Sequence, residues 1–176
     1  MDSDGMAGDT ATANKVILHA ATTDNVALMN SILLAEPPVS YDINATDGIG
    51  NTPLHNACLH GSPQVLDVIL NEEVDMDLRN RLEGSTPLHL ACKLENEELR
   101  NWIVTELLEA GASTKITNNF GQRPVDTVVG TNAQTPLGKQ LIDLLTMSQA
   151  EAGLGTDDIA NDDDGDDDGP PSDEGA

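Results

Sequence analysis

An all-α solenoid of about four stacked helix-turn-helix repeats, with β-turn fingers and a disordered acidic tail, is the fold this sequence predicts. Three observations predict it. Gly50-Asn51-Thr52-Pro53-Leu54-His55-Asn56-Ala57-Cys58 recurs 34 residues later as Gly84-Ser85-Thr86-Pro87-Leu88-His89-Leu90-Ala91-Cys92. Aliphatic residues follow each copy at three- and four-residue spacing. Of the 31 acidic residues, 11 crowd into residues 151–176, where no basic residue occurs.

The repeated residue types explain themselves physically. A weaker third copy, Gly121-Gln122-Arg123-Pro124-Val125-Asp126, follows at a further offset of 37. Gly50, Gly84 and Gly121 suit a tight turn that needs positive φ. Thr52 and Thr86 stand before proline, a hydroxyl cap followed by Pro at the first helical position. Ala57-Cys58 and Ala91-Cys92 are small enough for helices to approach closely. The second helices carry Val65, Leu66, Ile69 and Leu70, then Ile103, Val104, Leu107 and Leu108, at helical spacing. One such unit has two faces to cover and cannot do so alone, whereas stacked neighbours can. The segments ahead of the copies also match: 42–47, 75–80 and 112–118.

Composition excludes several function classes. Aromatics are 2% of the chain, so the core must be aliphatic and base stacking on single strands has no platform. Eight basic residues against 31 acidic ones give a net charge of -23, which repels nucleic acid and anionic lipid. The apolar runs are too short to span a bilayer. Residues 1–10 lack the charge and apolar pattern of a signal or transit peptide. Two cysteines do not make a disulfide scaffold, and the expected location is the cytoplasm or nucleus. Residues 148–176 read as a disordered tail whose charges repel one another and whose aliphatics are too few to offset ordering entropy. The run Asp162, Asp163, Asp164, Asp166, Asp167 and Asp168 has two open readings: a solubilising tail, or an electrostatic hook for a basic partner. Residues 1–12 also read as disordered.

The copies resemble the ankyrin repeat family, whose signature Thr-Pro-Leu-His-x-Ala is matched by residues 52–57 and 86–91. The resemblance implies repeats at approximately 13–46, 47–80, 81–117 and 118–147. Leu18-His19-Ala20-Ala21, with Val26, Leu28, Met29, Ile32 and Leu33, is similar to a degenerate first repeat. Arg123-Pro124-Val125-Asp126, with Leu141, Ile142, Leu144 and Leu145, is similar to a capping last one, since terminal repeats expose one face to water. Four repeats with an acidic tail resemble, in layout, small fungal ankyrin proteins that chaperone a basic ribosomal protein.

His55-x-x-Cys58 and His89-x-x-Cys92 read like two halves of a zinc site, since residues three apart share a helix face. Their identical position in successive repeats argues otherwise, and the resemblance implies a histidine that braces its turn by hydrogen bonds. No metal and no cofactor is expected. A Cys58–Cys92 disulfide is not expected either, because stacked helices lie about 8–10 Å apart, beyond the roughly 7 Å Cα limit of a bridge. The sequence has no nucleophile elbow, phosphate loop or dinucleotide fingerprint. The aspartate run lacks the spacing of a calcium loop. An enzyme is not expected.

The resemblance implies binding through a concave groove of turn tips and first helices. The groove positions are Thr46, Gly48, Ile49, Asn51, Leu59 and His60 in the second repeat. In the third they are Asn80, Leu82, Glu83, Ser85, Lys93 and Leu94, and in the fourth Thr117, Asn119, Phe120 and Gln122. Ile49, Leu82 and Phe120 place a large apolar side chain at each tip, a row that reads as an interface; a single tip residue such as Phe120 also reads as packing on the next turn. Four inserted residues are expected between the helices of the third repeat, within 95–101, with Trp102 packed against them or serving as a second anchor. The expected function is non-catalytic protein binding by a monomer, as an adaptor or dedicated chaperone for a protein with a basic segment. The alternative is a regulatory subunit or inhibitor of an enzyme or transcription factor.

Overall fold

A computed structural model describes residues 4–128 and 133–154. Among the described residues it contains seven α-helices and no strand: α1 (Asp4–Thr23), α2 (Val26–Leu33), α3 (Pro53–His60), α4 (Pro63–Leu70), α5 (Pro87–Cys92), α6 (Glu97–Glu109) and α7 (Pro136–Leu154), with a 3-10 turn at Pro124–Thr127 before α7. They form four pairs. The first members stack as a layer, α1 on α3, α3 on α5 and α5 on the 3-10 turn. The second members form the outer layer, where α2 meets α4 and α6 meets α7.

The first helices of the second and third repeats, α3 and α5, start through their Thr-Pro-Leu-His segments. Thr52 is extended and accepts the His55 amide, while Pro53 occupies the first helical position. His55 Nδ1 in turn accepts the Thr52 backbone N–H at 3.2 Å and meets the Thr52 hydroxyl at 2.8 Å. Its Nε2 lies 3.0 Å from the Ser85 carbonyl of the next repeat. A carbonyl can only accept, so Nε2 carries the proton. Thr86 and His89 repeat the arrangement, ending on the Gln122 carbonyl at 2.9 Å. In the last repeat Arg123 and Asp126 stand in their place. The Asp126 carboxylate accepts the Arg123 amide at 2.9 Å, so the bond closes within the unit.

The turns between repeats are fingers. Asp47, Asn80 and Asn118 open them, each accepting two amides of its own finger on one side-chain oxygen. Neighbouring fingers also pair through the backbone, Arg81 N–H to the Ile49 carbonyl and Asn119 N–H to the Glu83 carbonyl. Gly50 and Gly84 have φ of 83° and 65°. A Cβ on Gly50 would lie 2.6 Å from the Arg81 nitrogen, and one on Gly84 would strike Asn119. Glycine is therefore needed both for the turn and for the close approach of the next finger.

The core is aliphatic. Ile17, Met29, Leu54, Leu66, Ile69, Leu88, Ile103, Leu107, Leu141 and Leu145 are buried, with Ala57, Ala91, Cys58 and Cys92 between the first helices. Both cysteines are free. Burial pushes both thiols up, Cys92 to about 12 even with the Arg100 charge acting against it.

Four features differ from the sequence expectation. Helix α1 begins at Asp4, inside residues 1–12 that read as disordered. Ala11 and Ala13 favour helix, and Ala13 is buried and anchors this stretch. The inserted residues of the third repeat do not form a loop between helices but join α6, which runs 13 residues where α4 runs 8. Asn96 caps that helix by accepting the Leu99 amide, and the extra turn buries Arg100. The first helix of the fourth repeat shrinks to a single 3-10 turn. Helix α7 continues to Leu154, past the expected tail boundary at 148. Tail residues Asp162, Asp163, Asp164, Asp166, Asp167 and Asp168 lie outside the described residues.

Three measurements check this packing. Leu54→Ala or Leu88→Ala should lower stability by about 2–5 kcal/mol, and Cys58→Ala or Cys92→Ala should shift the melting temperature far less. Equal shifts would contradict the register. Arg100 lies on the extra turn of α6, which has no counterpart in α4. Its Nε donates to Asn101 at 3.3 Å, and both terminal nitrogens are buried without a partner. Arg100→Leu should therefore raise stability by about 1–4 kcal/mol, as removal of an uncompensated buried charge does, and a lower melting temperature would refute this. Burial, the leading cause, holds His55 and His89 below their ordinary value. Below about pH 6.5 the unfolded chain takes up protons that the folded one refuses, so stability should decline as pH falls. Glu83 and Asp126 have depressed values and act only in the lower, carboxylate range. The urea midpoint should drop between about pH 7 and about pH 5.5, with a shallower slope in His89→Gln. A flat or rising midpoint would contradict it.

Candidate functional site

The fingers set Ile49, Leu82 and Phe120 at successive tips. Their side chains are 44%, 65% and 71% exposed. Phe120 does not pack on a following turn. Among the described residues no finger lies beyond it, and its amide donates to Asn118 Oδ1 at 3.0 Å. Beneath the Ile49 and Leu82 tips lies a cleft of about 270 Å³ lined by Ile49, Asn51, Leu59, Asn80, Leu82, Glu83, Leu90 and Lys93. Seven of these lining residues are groove positions named from the sequence. The eighth, Leu90, is the variable residue of the Thr-Pro-Leu-His-x-Ala segment. Its spacing of three from Lys93 puts both on one helix face, and that spacing was the available signal.

The named positions divide by role. Leu59 and His60 end α3 in the open. Asn51, Asn80 and Ser85 are buried and hold the scaffold: Asn80 Nδ2 donates to Asn51 Oδ1 at 2.9 Å, and the Ser85 carbonyl takes the His55 bond. Asn51 and Asn80 line the cleft, and their mutual bond braces it. Gln122 gives its carbonyl to His89 and its side-chain oxygen to Asn118. Leu94 packs against the core and beside Gly61. Thr46 and Asn119 are exposed and accept hydrogen bonds from Arg81 and Arg79. Those two arginines, flanking Asn80, were not singled out from the sequence, although basic residues beside a turn tip were visible there. Trp102 sits on α6 with 38% of its surface exposed, and the inserted residues belong to that helix, so no separate loop packs on it.

Electrostatically the cleft mouth is neutralised locally. Lys93 Nζ lies 2.8 Å from Glu83 Oε2 and, through that hydrogen bond first, holds the Glu83 carboxyl below the usual range. Ser85 donates to the same oxygen. The ring nitrogens of His55 and His89 are engaged in caps and inter-repeat bonds, which leaves neither pair His55/Cys58 nor His89/Cys92 arranged as ligands. No group of His, Cys, Asp and Glu suited to a metal occurs among the described residues. None of their helices is long and apolar enough to cross a membrane. What the surface offers chemically is apolar side chains over a polar-rimmed cleft.

A family model of ankyrin repeats, in three copies, matches residues 17–119. The fourth unit, whose first helix is a single 3-10 turn, lies beyond that match. The ankyrin repeat-containing protein YGL242C of Saccharomyces cerevisiae is 35% identical over 144 residues, covering 77% of either chain. The SMC5-SMC6 complex localization factor protein 1 of Bos taurus is 33% identical over 68% of this chain but only 11% of its own length. The putative ankyrin repeat protein FPV031 of fowlpox virus is 30% identical over 73% of this chain and 36% of its own. With its signature segments, its stacked pairs and these matches, the chain belongs to the ankyrin repeat family, a family of protein–protein interaction modules.

Proposed function

We propose that the chain is a non-catalytic adaptor or dedicated chaperone that grips an apolar stretch of a partner protein through the finger row and cleft, next to a Lys- or Arg-rich stretch held by the acidic tail. The observation that carries this reading is the row of exposed apolar tips, Ile49, Leu82 and Phe120, over a cleft floored by buried, fully bonded polar residues. Apolar side chains held outward on a rigid frame lose little freedom on binding. A relative named for localisation of a complex supports recruitment over catalysis. The location proposed is the cytoplasm or nucleus, and no cofactor is assigned.

The two parts of this surface should fail differently. Against the partner recovered by affinity purification, Leu82→Glu or Phe120→Glu should speed dissociation about ten- to hundred-fold, because a charge enters a desolvated contact. Removing residues 155–176 should instead slow association and flatten its salt dependence, because distant charges act on encounter. If the tip substitutions leave dissociation unchanged while Trp102→Ala abolishes binding, the partner occupies the convex back and the reading fails.

A further inference from the structure

The apolar tips of the finger row do not stand alone, because a guanidinium lies in each gap between them. Arg81 reaches back to the Thr46 hydroxyl at 3.4 Å. Its stem passes over Gly50, where an added Cβ would lie 2.7 Å from the Arg81 Cγ. Arg79 reaches forward, donating to the Gly84 carbonyl at 2.9 Å and to Asn119 Oδ1 at 3.0 Å. Along the stack the order is therefore Ile49, Arg81, Leu82, Arg79, Phe120, apolar and cationic in turn.

Both arginines are exposed, and neither enters an ion pair among the described residues, where the pairs are Lys93–Glu83 and Arg123–Asp126. A guanidinium carries five N–H donors. Among the described residues Arg79 spends two of them and Arg81 one, all on neutral acceptors. Asp47 is turned to its own finger and to Asn56, and Glu83 holds Lys93. Lys15 on α1 and Lys139 on α7 are exposed cations as well, but neither stands on a finger. A segment bound on the row meets this local alternation, whatever the charge of the rest of the chain.

A Lys- or Arg-rich segment on the row would set like charges against Arg79 and Arg81. A purely apolar one would cover their free donors and strip water from them, which is costly. Carboxylates do neither, since they accept the parallel N–H groups of a guanidinium in pairs. Stacked helices lie about 8–10 Å apart, and the backbone bonds from Arg81 to Ile49 and from Asn119 to Glu83 tie the fingers into the same stack. In a polyproline II chain, residues three apart share a face and lie about 9 Å apart. We infer that the segment gripped by the finger row is an extended acidic–aliphatic one. Every third residue is aliphatic and rests on Ile49, Leu82 and Phe120, and Asp or Glu between them pairs with Arg81 and Arg79. This rests on the groove reading and narrows it: the partner carries acidic residues within the groove, and its basic stretch lies outside the row.

The test uses the full chain and three synthetic peptides, capped at both ends, that differ in one repeated residue. They are Leu-Pro-Asp-Leu-Pro-Asp-Leu, its Asn form and its Lys form. At ~0.15 M salt the charge of the chain is screened beyond the contact itself. The Asp peptide should move amide resonances of residues 46–51, 79–85 and 118–122. The Asn peptide should bind there about three- to ten-fold more weakly, the worth of two exposed ion pairs. The Lys peptide should leave those resonances in place. In Arg79→Gln/Arg81→Gln the Asp and Asn peptides should bind equally. If that variant loses its finger geometry, the comparison of Asp with Asn in the unaltered chain remains decisive. Equal binding of those two to the unaltered chain, or a preference for the Lys peptide at the fingers, would overturn the proposal and leave the groove reading in place. So would an Asp preference that survives loss of both arginines. Finger resonances that no peptide moves would instead overturn the groove reading, and the proposal with it.

Discussion

The bond from His55 and from His89 to the carbonyl of the next finger is the constraint on which the rest of the structure depends. It ties a helix start to its own cap and to the following repeat in one step, through two nitrogens of one ring. Helices of six and eight residues are too short to persist alone. Here their starts are fixed by Thr–His pairs and their bodies by neighbours on either side. Because the bond is lateral, order passes along the stack, and a repeat without a successor has no carbonyl to hold. The last unit shows this: Asp126 replaces histidine, the bond closes within the unit, and the helix contracts to one 3-10 turn. Stability is thus carried by interfaces between units, as expected of a quasi-one-dimensional fold.

The same lateral bonding makes the candidate site rigid. Asn51 to Asn80, Arg81 to the Ile49 carbonyl and Asn119 to the Glu83 carbonyl couple each finger to its neighbour. The apolar tips therefore sit on a braced frame rather than on free loops. Glycine at positions 50 and 84 is part of that frame, since any side chain there would push the next finger away. A surface built this way holds Ile49, Leu82 and Phe120 outward against the hydrophobic drive to cover them. That persistence distinguishes the row from single exposed leucines, which need no explanation.

Most of the fold was legible because the determinants are local and repeated. Thr52-Pro53 and Thr86-Pro87 mark helix starts, Gly50 and Gly84 mark turns, and Leu54, Leu88, Ile69 and Ile103 mark the buried faces. What escaped were features set by packing rather than by pattern. The insertion near Arg100 looked like a loop because a polar, acidic stretch interrupts the aliphatic spacing, yet Asn96 caps it and it lengthens α6. Helix α1 reaches back to Asp4 through alanines that carry no amphipathic signal. At the site, the tips were legible from position. The division of the groove into exposed contacts and buried struts was not, because Asn51, Asn80 and Ser85 are polar in sequence and buried only through partners one repeat away.

Charge completes the physical picture. Among the described residues the outer helices expose mostly acidic groups, Asp67, Glu98, Glu109 and Asp143 with Lys139 among them, and the fingers carry Arg79 and Arg81 on neutral acceptors, a partial separation of sign. That separation follows from the scaffold's own needs. Arg79 and Arg81 span gaps between fingers where a long, multi-donor side chain can reach a neutral acceptor on a neighbouring repeat, Asn119 on the next and Thr46 on the preceding one, a task a carboxylate cannot perform. The bracing of the fingers therefore leaves positive charge beside the apolar tips.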